Sequence, residues 1–183
     1  PKTEAGSSIF TKLIEHCGAL PSSHDFHVGA FLFEYFTQDL ALPEEGFMNE
    51  PPDLPLADVA AFSLDDASTT EIDDAFSVTM LANGNTQIGI HIAAPALGIA
   101  IGSPVDAIAR GRLSTVYFPG QKITMLPAPV IAAFTLGRGG DCPALSLYAE
   151  VSAAGAIVAT HSRCESVPIA ANLRHGELDE VFN

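Results

Sequence analysis

Positive charge is scarce in this chain. Eight Lys and Arg stand against 22 Asp and Glu in 183 residues, a formal net charge of −14. Surfaces that bind nucleic acid are normally basic, because phosphate contacts supply much of the affinity. Either the chain does not bind nucleic acid by itself, or another part carries the basic surface. Long apolar runs are also lacking. The longest, Ile88 to Gly102, contains His91 and is broken by Pro95, whereas a membrane-spanning helix needs about 20 apolar residues. No membrane span is expected. The opening PKTEAGSS has no apolar run behind a basic start, so it does not read as a signal peptide. Cysteine is sparse and odd in number: Cys17, Cys142 and Cys164 share no CxxC spacing. That argues against a disulfide framework and a zinc site. It points to buried or partly buried thiols in a reducing compartment, taken here as the cytoplasm.

What is present is apolar. Hydrophobic residues make up 48% and charged residues 16%, which describes a globular chain able to bury one sizeable core. Phe10, Leu13, Ile14 and Cys17 mark one face of a first helix, with Gly18 as its stop. Ser22 and Asp25 form a capping pair for a second helix carrying Val28, Phe31, Leu32, Tyr35 and Phe36. This aromatic stripe is expected to be core. Residues 1–37 thus read as a helical leader and the Pro- and acid-rich residues 38–58 as an extended linker. The rest, 59–183, alternates strands with helices. Ala75 to Leu81 and Thr86 to Ala93 flank Asn83-Gly84, a hairpin signal. Ser103 and Pro104 open a helix to about Leu113, and Ser114 to Phe118 is a short extended piece. A short helix covers Pro127 to Phe134, and Ala144 to Val151 pairs with Ala156 to Cys164. The class is α+β, with mixed or antiparallel strands and interspersed helices.

The most informative stretch is Asp65 to Asp74, DDASTTEIDD, which holds five carboxylates in ten residues and no Lys or Arg. Two unit charges about 4 Å apart repel by about 1 kcal/mol in water and about 4 kcal/mol at an effective dielectric near 20. Such crowding beside apolar strands points to a hard divalent cation, Mg²⁺ or Mn²⁺, or to a raised pKa. A solvated acidic loop is the alternative. A calcium loop of the EF-hand type is excluded, because Gly and Glu do not fall at its required positions. In a regular strand Glu71 and Asp73 would share a face and Asp74 would point away. A turn or bulge after Thr70 would let all three converge with Asp65.

The wording of this stretch resembles the first signature of the ribonuclease II / ribonuclease R family, the RNB catalytic domain. Asp65, Ala67, Ser68, Thr69, Glu71, Ile72, Asp73 and Asp74 fill that pattern in order. IGIHIA from Ile88, GSPVDAIARGRLSTVYFPG from Gly102, ITMLP from Ile123 and PALSLYAEV from Pro143 follow in the family's order. The sequence departs from it at Ala94, where many members have Asp, and at Cys142, where Arg is common. The helical leader also departs from the best-known architecture.

The resemblance implies a Mg²⁺-dependent 3′→5′ exoribonuclease acting on single-stranded RNA and releasing nucleoside 5′-monophosphates. Asp65, Glu71, Asp73 and Asp74 match the family's catalytic and metal-binding acids. Tyr117 matches an aromatic that contacts the 3′-terminal nucleotides; a core tyrosine is the alternative. Arg112, with Arg110 and Lys122 the densest basic group, is a candidate for RNA phosphates, solvated surface being the alternative. His91 reads as a satisfied structural histidine, and His24 and His27 as cap or surface residues. Both ends look cut, so the chain is expected to be an incomplete piece. The C-terminal half of the catalytic domain and an OB-type RNA-binding domain would be its partners. An RNB-fold RNA-binding or regulatory protein without nuclease activity is the rival reading.

Overall fold

A period of two in residue size builds the larger part of the molecule. In β2 (Asp74–Met80), β3 (Thr86–Ala93) and β6 (Asp141–Val151), Ala75, Ser77, Gly89, His91, Ala144, Ser146 and Tyr148 are buried on one side. Val78, Met80, Ile88, Ile90, Ile92, Leu145 and Leu147 are exposed on the other. That alternation is strand geometry. With β1 (Ala61–Asp65) and β7 (Ile157–Arg174) these strands close a barrel in the order β1-β2-β3-β6-β7. Neighbours are antiparallel except β1 and β7, which run parallel. Barrel diameter grows with strand number. Five strands leave a narrow lumen, where small residues such as Ala75, Ser77, Gly89 and Ser146 alternate with His91 and Tyr148. The computed structural model describes residues 4–20, 22–36 and 53–182.

His91 is a large polar side chain in the lumen, as are Tyr148 and Glu165. Its Nδ1 lies 2.8 Å from Ser146 Oγ and its Nε2 2.9 Å from Ser77 Oγ. It is a satisfied structural histidine, as the sequence suggested. Room for this arrangement comes from Gly89. A Cβ there would press on Ser77 Oγ and stand 2.8 Å from His91 Nε2. Gly89→Ala is therefore expected to cost about 2 kcal/mol, from overpacking and the broken Ser77–His91 bond. Urea denaturation measures it.

The chain divides into two compact units. One is Pro43–Thr115 with Thr124–Asn183, the other Pro1–Leu42 with Val116–Ile123. The first holds the barrel and a second apolar cluster of Val105, Leu126, Val130 and Phe134. That cluster joins α3 (Pro104–Arg112) to α4 (Ala128–Phe134). Ser103 Oγ accepts the Asp106 N–H and caps α3, which Leu113 ends with φ 63°. A last helix, α5 (His175–Phe182), follows β7.

The second unit contains α1 (Glu4–His16), α2 (Ser23–Tyr35) and a hairpin of β4 (Val116–Phe118) with β5 (Gln121–Ile123). Gly18, at φ 71°, donates to Glu15 O while Ala19 donates to Ile14 O, the paired bonds of a Schellman stop. Ser22 Oγ caps α2 through the Asp25 N–H. The aromatic stripe of α2 is not core. No described residue of α2 is buried, and Phe33 is 84% exposed. Phe31 instead makes ring contacts with Tyr35, Phe36 and Phe118.

The α+β class read from the sequence is the class observed. Several particulars differ. β5 was not foreseen, because a three-residue strand carries too little periodicity. β7 runs past Cys164 to Arg174, because its second half lies against β1 as well as β6. Of the expected linker, 38–52 lies outside the described residues. Its end is no free tether: Ala57 is buried and donates to Ser166 O, while Ser166 donates to Pro55 O. Cys17 and Cys164 are exposed rather than buried; Cys142 is buried as expected.

Candidate active site

The acidic stretch leaves the barrel at the end of β1 and re-enters it at the start of β2. Asp65 follows Ser63 on the inward side of β1, and its Oδ2 accepts the Ser63 hydroxyl at 2.5 Å. Ser63 in turn accepts from Asn172 Nδ2 at 2.9 Å. The chain then turns: the Thr69 N–H donates to Asp66 O at 3.0 Å. From β7, Arg174 Nη1 donates to Asp66 O at 2.6 Å and to Thr69 O at 3.4 Å.

After the turn the backbone is fastened on both sides. Ile72 is buried; its N–H donates to Thr135 Oγ1 at 2.8 Å and its carbonyl accepts from Leu136 N–H at 2.9 Å. The Asp73 carbonyl accepts from Ala93 N–H at 2.8 Å. With Ile72 anchored inward, Glu71 and Asp73 come to line one cavity of about 270 Å³. Its walls are otherwise apolar: Ile92, Ala93, Pro95, Met125, Leu126, Val130, Ile131 and Phe134, with the hydroxyls of Thr115 and Thr135. Asp74 begins β2 beside Ile92, is exposed, and is not part of that lining.

The structure thus brings Glu71 and Asp73 together and leaves Asp65 and Asp74 apart from that lining. The bonds to Ile72 N–H and its carbonyl hold this segment between the turn and β2. Carboxylate oxygens are the donors a hard divalent cation prefers. Their arrangement does not fit a resident ion on this chain alone. Among the described residues no three His, Cys, Asp or Glu side chains group closely enough to hold a metal.

The other candidates are placed as follows. Tyr117 lies in β4, opposite Lys122, and is 71% exposed, so it is not a core tyrosine. Arg112 is half-buried at the end of α3 and donates from Nη1 to Thr124 O at 2.7 Å; its burial lowers its pKa. Arg110 pairs with Asp106 at 3.1 Å. The Gly102 N–H, and then Arg110, hold the Asp106 carboxyl below its ordinary range. His24 and His27 sit on α2 with no described core contact. Cys142 packs its Sγ 3.4 Å from Thr135 O, and burial raises its pKa. Sequence reasoning missed Arg174, because no local pattern links it to a turn more than a hundred residues earlier.

The barrel with an acid-bearing crossing between β1 and β2 defines a class. The RNB domain family matches residues 54–182. The chain belongs to that family. It is 34% identical over 115 residues to an uncharacterized ribonuclease of Synechocystis, covering 60% of this chain and 17% of that protein. It is 43% identical over 89 residues to exoribonuclease 2 of Serratia proteamaculans, covering 46% and 14%. Among solved structures it resembles RNase R of Mycoplasma genitalium in complex with ribose-methylated single-stranded RNA, at TM-score 0.66 and 19% identity. That likeness covers 72% of this chain and 20% of the other. It also resembles yeast Ssd1, described as a pseudonuclease, at TM-score 0.63 and 24% identity, covering 70% and 16%. The chain therefore spans a fifth or less of the length of each of these proteins.

Proposed function

We propose that this chain is the N-terminal part of the catalytic domain of a 3′→5′ exoribonuclease that hydrolyses single-stranded RNA to nucleoside 5′-monophosphates. The observation that carries the reading is the pair Glu71 and Asp73 on one cavity, inside a motif of the RNB family. In the reaction a water oxygen bonds to the last phosphodiester phosphorus and the P–O3′ bond breaks. The released nucleotide keeps the 5′-phosphate, and the shortened RNA gains a 3′-hydroxyl. A carboxylate such as Asp73 would orient the water and accept its proton. Asp65, Glu71 and Asp74 are proposed as the other acids of the site.

Mg²⁺, or Mn²⁺, is the proposed cofactor of the whole enzyme. Mg²⁺ is usually bound through one or two carboxylates together with substrate phosphates and water, so its site would be completed by groups beyond these residues. The exposed apolar face of β2, β3 and β6 supports a larger assembly, since a face of this kind marks an interaction surface. The remaining half of the domain and an OB-type RNA-binding domain are its proposed members. The free cysteines suit a reducing compartment such as the cytoplasm.

Tyr117 is proposed to seat the terminal nucleotides and Arg112 to meet a phosphate. Stacking of a base on an aromatic contributes about 1–3 kcal/mol. Tyr117→Ala in the whole enzyme is expected to lengthen the final RNA product and weaken seating of short RNA by about 10-fold, with single-turnover chemistry on long RNA largely kept. Gel analysis of end products measures it.

A non-enzymatic RNA-binding protein is the second reading, favoured by the likeness to a pseudonuclease. Incubation of the whole protein with 3′-labelled single-stranded RNA decides between them. Labelled mononucleotide supports the enzyme, and bound but intact RNA supports the binder.

A further inference from the structure

The acidic turn carries no cation of its own. Asp65 to Asp74 holds five carboxylates and no Lys or Arg. A cation that bonds to its backbone comes from the last strand of the barrel. β7 runs parallel to β1 and sets Arg174 in register beside Asp65. From there Arg174 Nη1 reaches Asp66 O at 2.6 Å and Thr69 O at 3.4 Å, the carbonyls at the two ends of the turn. The same turn is closed by the Thr69 N–H on Asp66 O. One guanidinium nitrogen therefore joins the two ends of the turn.

The base of Arg174 is fixed as well. It is the last residue of β7 and directly precedes α5. Its N–H donates to Glu177 Oε2 at 3.0 Å, the reach-back bond of a helix N-terminus. Downstream, Ile72 is held by Thr135 and Leu136. The segment from Asp66 to Asp73 is thus fastened by Arg174 upstream and at Ile72 and Asp73 downstream.

We propose that Arg174 is a positioning residue for the acidic site. It acts through the carbonyls of Asp66 and Thr69, setting where the backbone leaves the turn and so where Glu71 and Asp73 face the cavity. Its effect on cleavage rests on the exoribonuclease reading above; its effect on the turn does not. A shift of about 1 Å in a catalytic group costs up to about 100-fold in rate.

The test uses Arg174→Ala and Arg174→Lys in the whole protein, with two readouts. Hydrogen exchange is read first, because it is independent of activity. In Arg174→Ala the Thr69 amide is expected to lose about 10-fold in protection while β3 and β6 amides stay as in wild type. Arg174→Lys, whose ammonium can still reach a carbonyl, should recover part of that protection. Single-turnover cleavage is read next, with RNA affinity measured on a non-cleavable 2′-O-methyl strand. Arg174→Ala is expected to cleave about 10- to 100-fold more slowly, with dissociation constants within about 3-fold, and Arg174→Lys to lie between.

Unchanged protection at Thr69 overturns the proposal, as does a wild-type cleavage rate in Arg174→Ala. A loss confined to affinity also overturns it, because Arg174 would then be an RNA contact. Should Arg174→Ala fail to fold, Arg174→Gln is judged by the same criteria. If the wild-type protein releases no mononucleotide, the nuclease reading fails, and the exchange result alone decides the role of Arg174 in the turn.

Discussion

Asp73→Asn in the whole enzyme is expected to lower single-turnover cleavage by about 10²–10⁴-fold, the range that positioned acid–base groups contribute. RNA affinity should be kept or improve. Asn preserves the volume of the side chain and removes one negative charge where phosphate must approach. The fold should be kept, because Asn matches Asp in volume and the bond from Ala93 N–H goes to the residue 73 backbone carbonyl. Rapid-quench cleavage together with binding to a non-cleavable strand measures both quantities. Cleavage at the wild-type rate would mean that the acidic stretch is not the active site.

The second large effect is on stability. Glu165 is buried in the barrel and accepts the Tyr148 hydroxyl at 2.5 Å; Arg163 lies 3.8 Å away and stands over the Tyr148 ring. Glu165→Ala removes a charged hydrogen-bond partner and leaves the Tyr148 hydroxyl buried without it. About 3 kcal/mol is expected, a large share of the roughly 5–15 kcal/mol that holds most domains folded. Removing both partners in Tyr148→Phe with Glu165→Leu should cost much less, since replacing a buried polar pair by apolar groups is often close to neutral. Urea denaturation of the single and double variants gives the comparison.

The same group predicts a pH dependence. Burial first, and then the bond to Glu165 and its charge, push the Tyr148 pKa up from 10 to about 12. The protonated phenol is thus favoured by folding. Its contribution is complete below pH 10 and is lost as pH rises from 10 to about 12. On the acid side, burial lowers the His91 pKa against an opposing pull from Glu165. Folding favours the neutral ring, so stability is lost as pH falls below about 6.5. Tyr148→Phe should remove the alkaline loss and leave the acid loss in place.

Much of this molecule is legible in its residues. The hairpin at Asn83-Gly84, the Ser103 and Ser22 caps and the Gly18 stop are local chemistry, and each stands where the sequence put it. The acidic motif was legible as a motif. Its side-chain directions were not, because they depend on Thr135, Leu136 and Ala93 bonding to the backbone on either side of Ile72. The expected core role of the α2 aromatics also came from periodicity alone. Periodicity marks a face and does not supply the partner that buries it.

The sequence by itself determined the family, the α+β class, most strands and helices, and the acidic motif. All of these rest on short-range order: residue period, caps, turns and a contiguous motif. Tertiary structure alone decided the closure of five strands into a barrel, the pairing of β1 with β7, and the lumen that Gly89 keeps open for His91. It also decided that Glu71 and Asp73 share a cavity while Asp65 and Asp74 lie outside its lining. Those features depend on contacts between residues far apart in the chain. Arg174 beside Asp65 exists only once β7 has crossed the barrel to lie along β1.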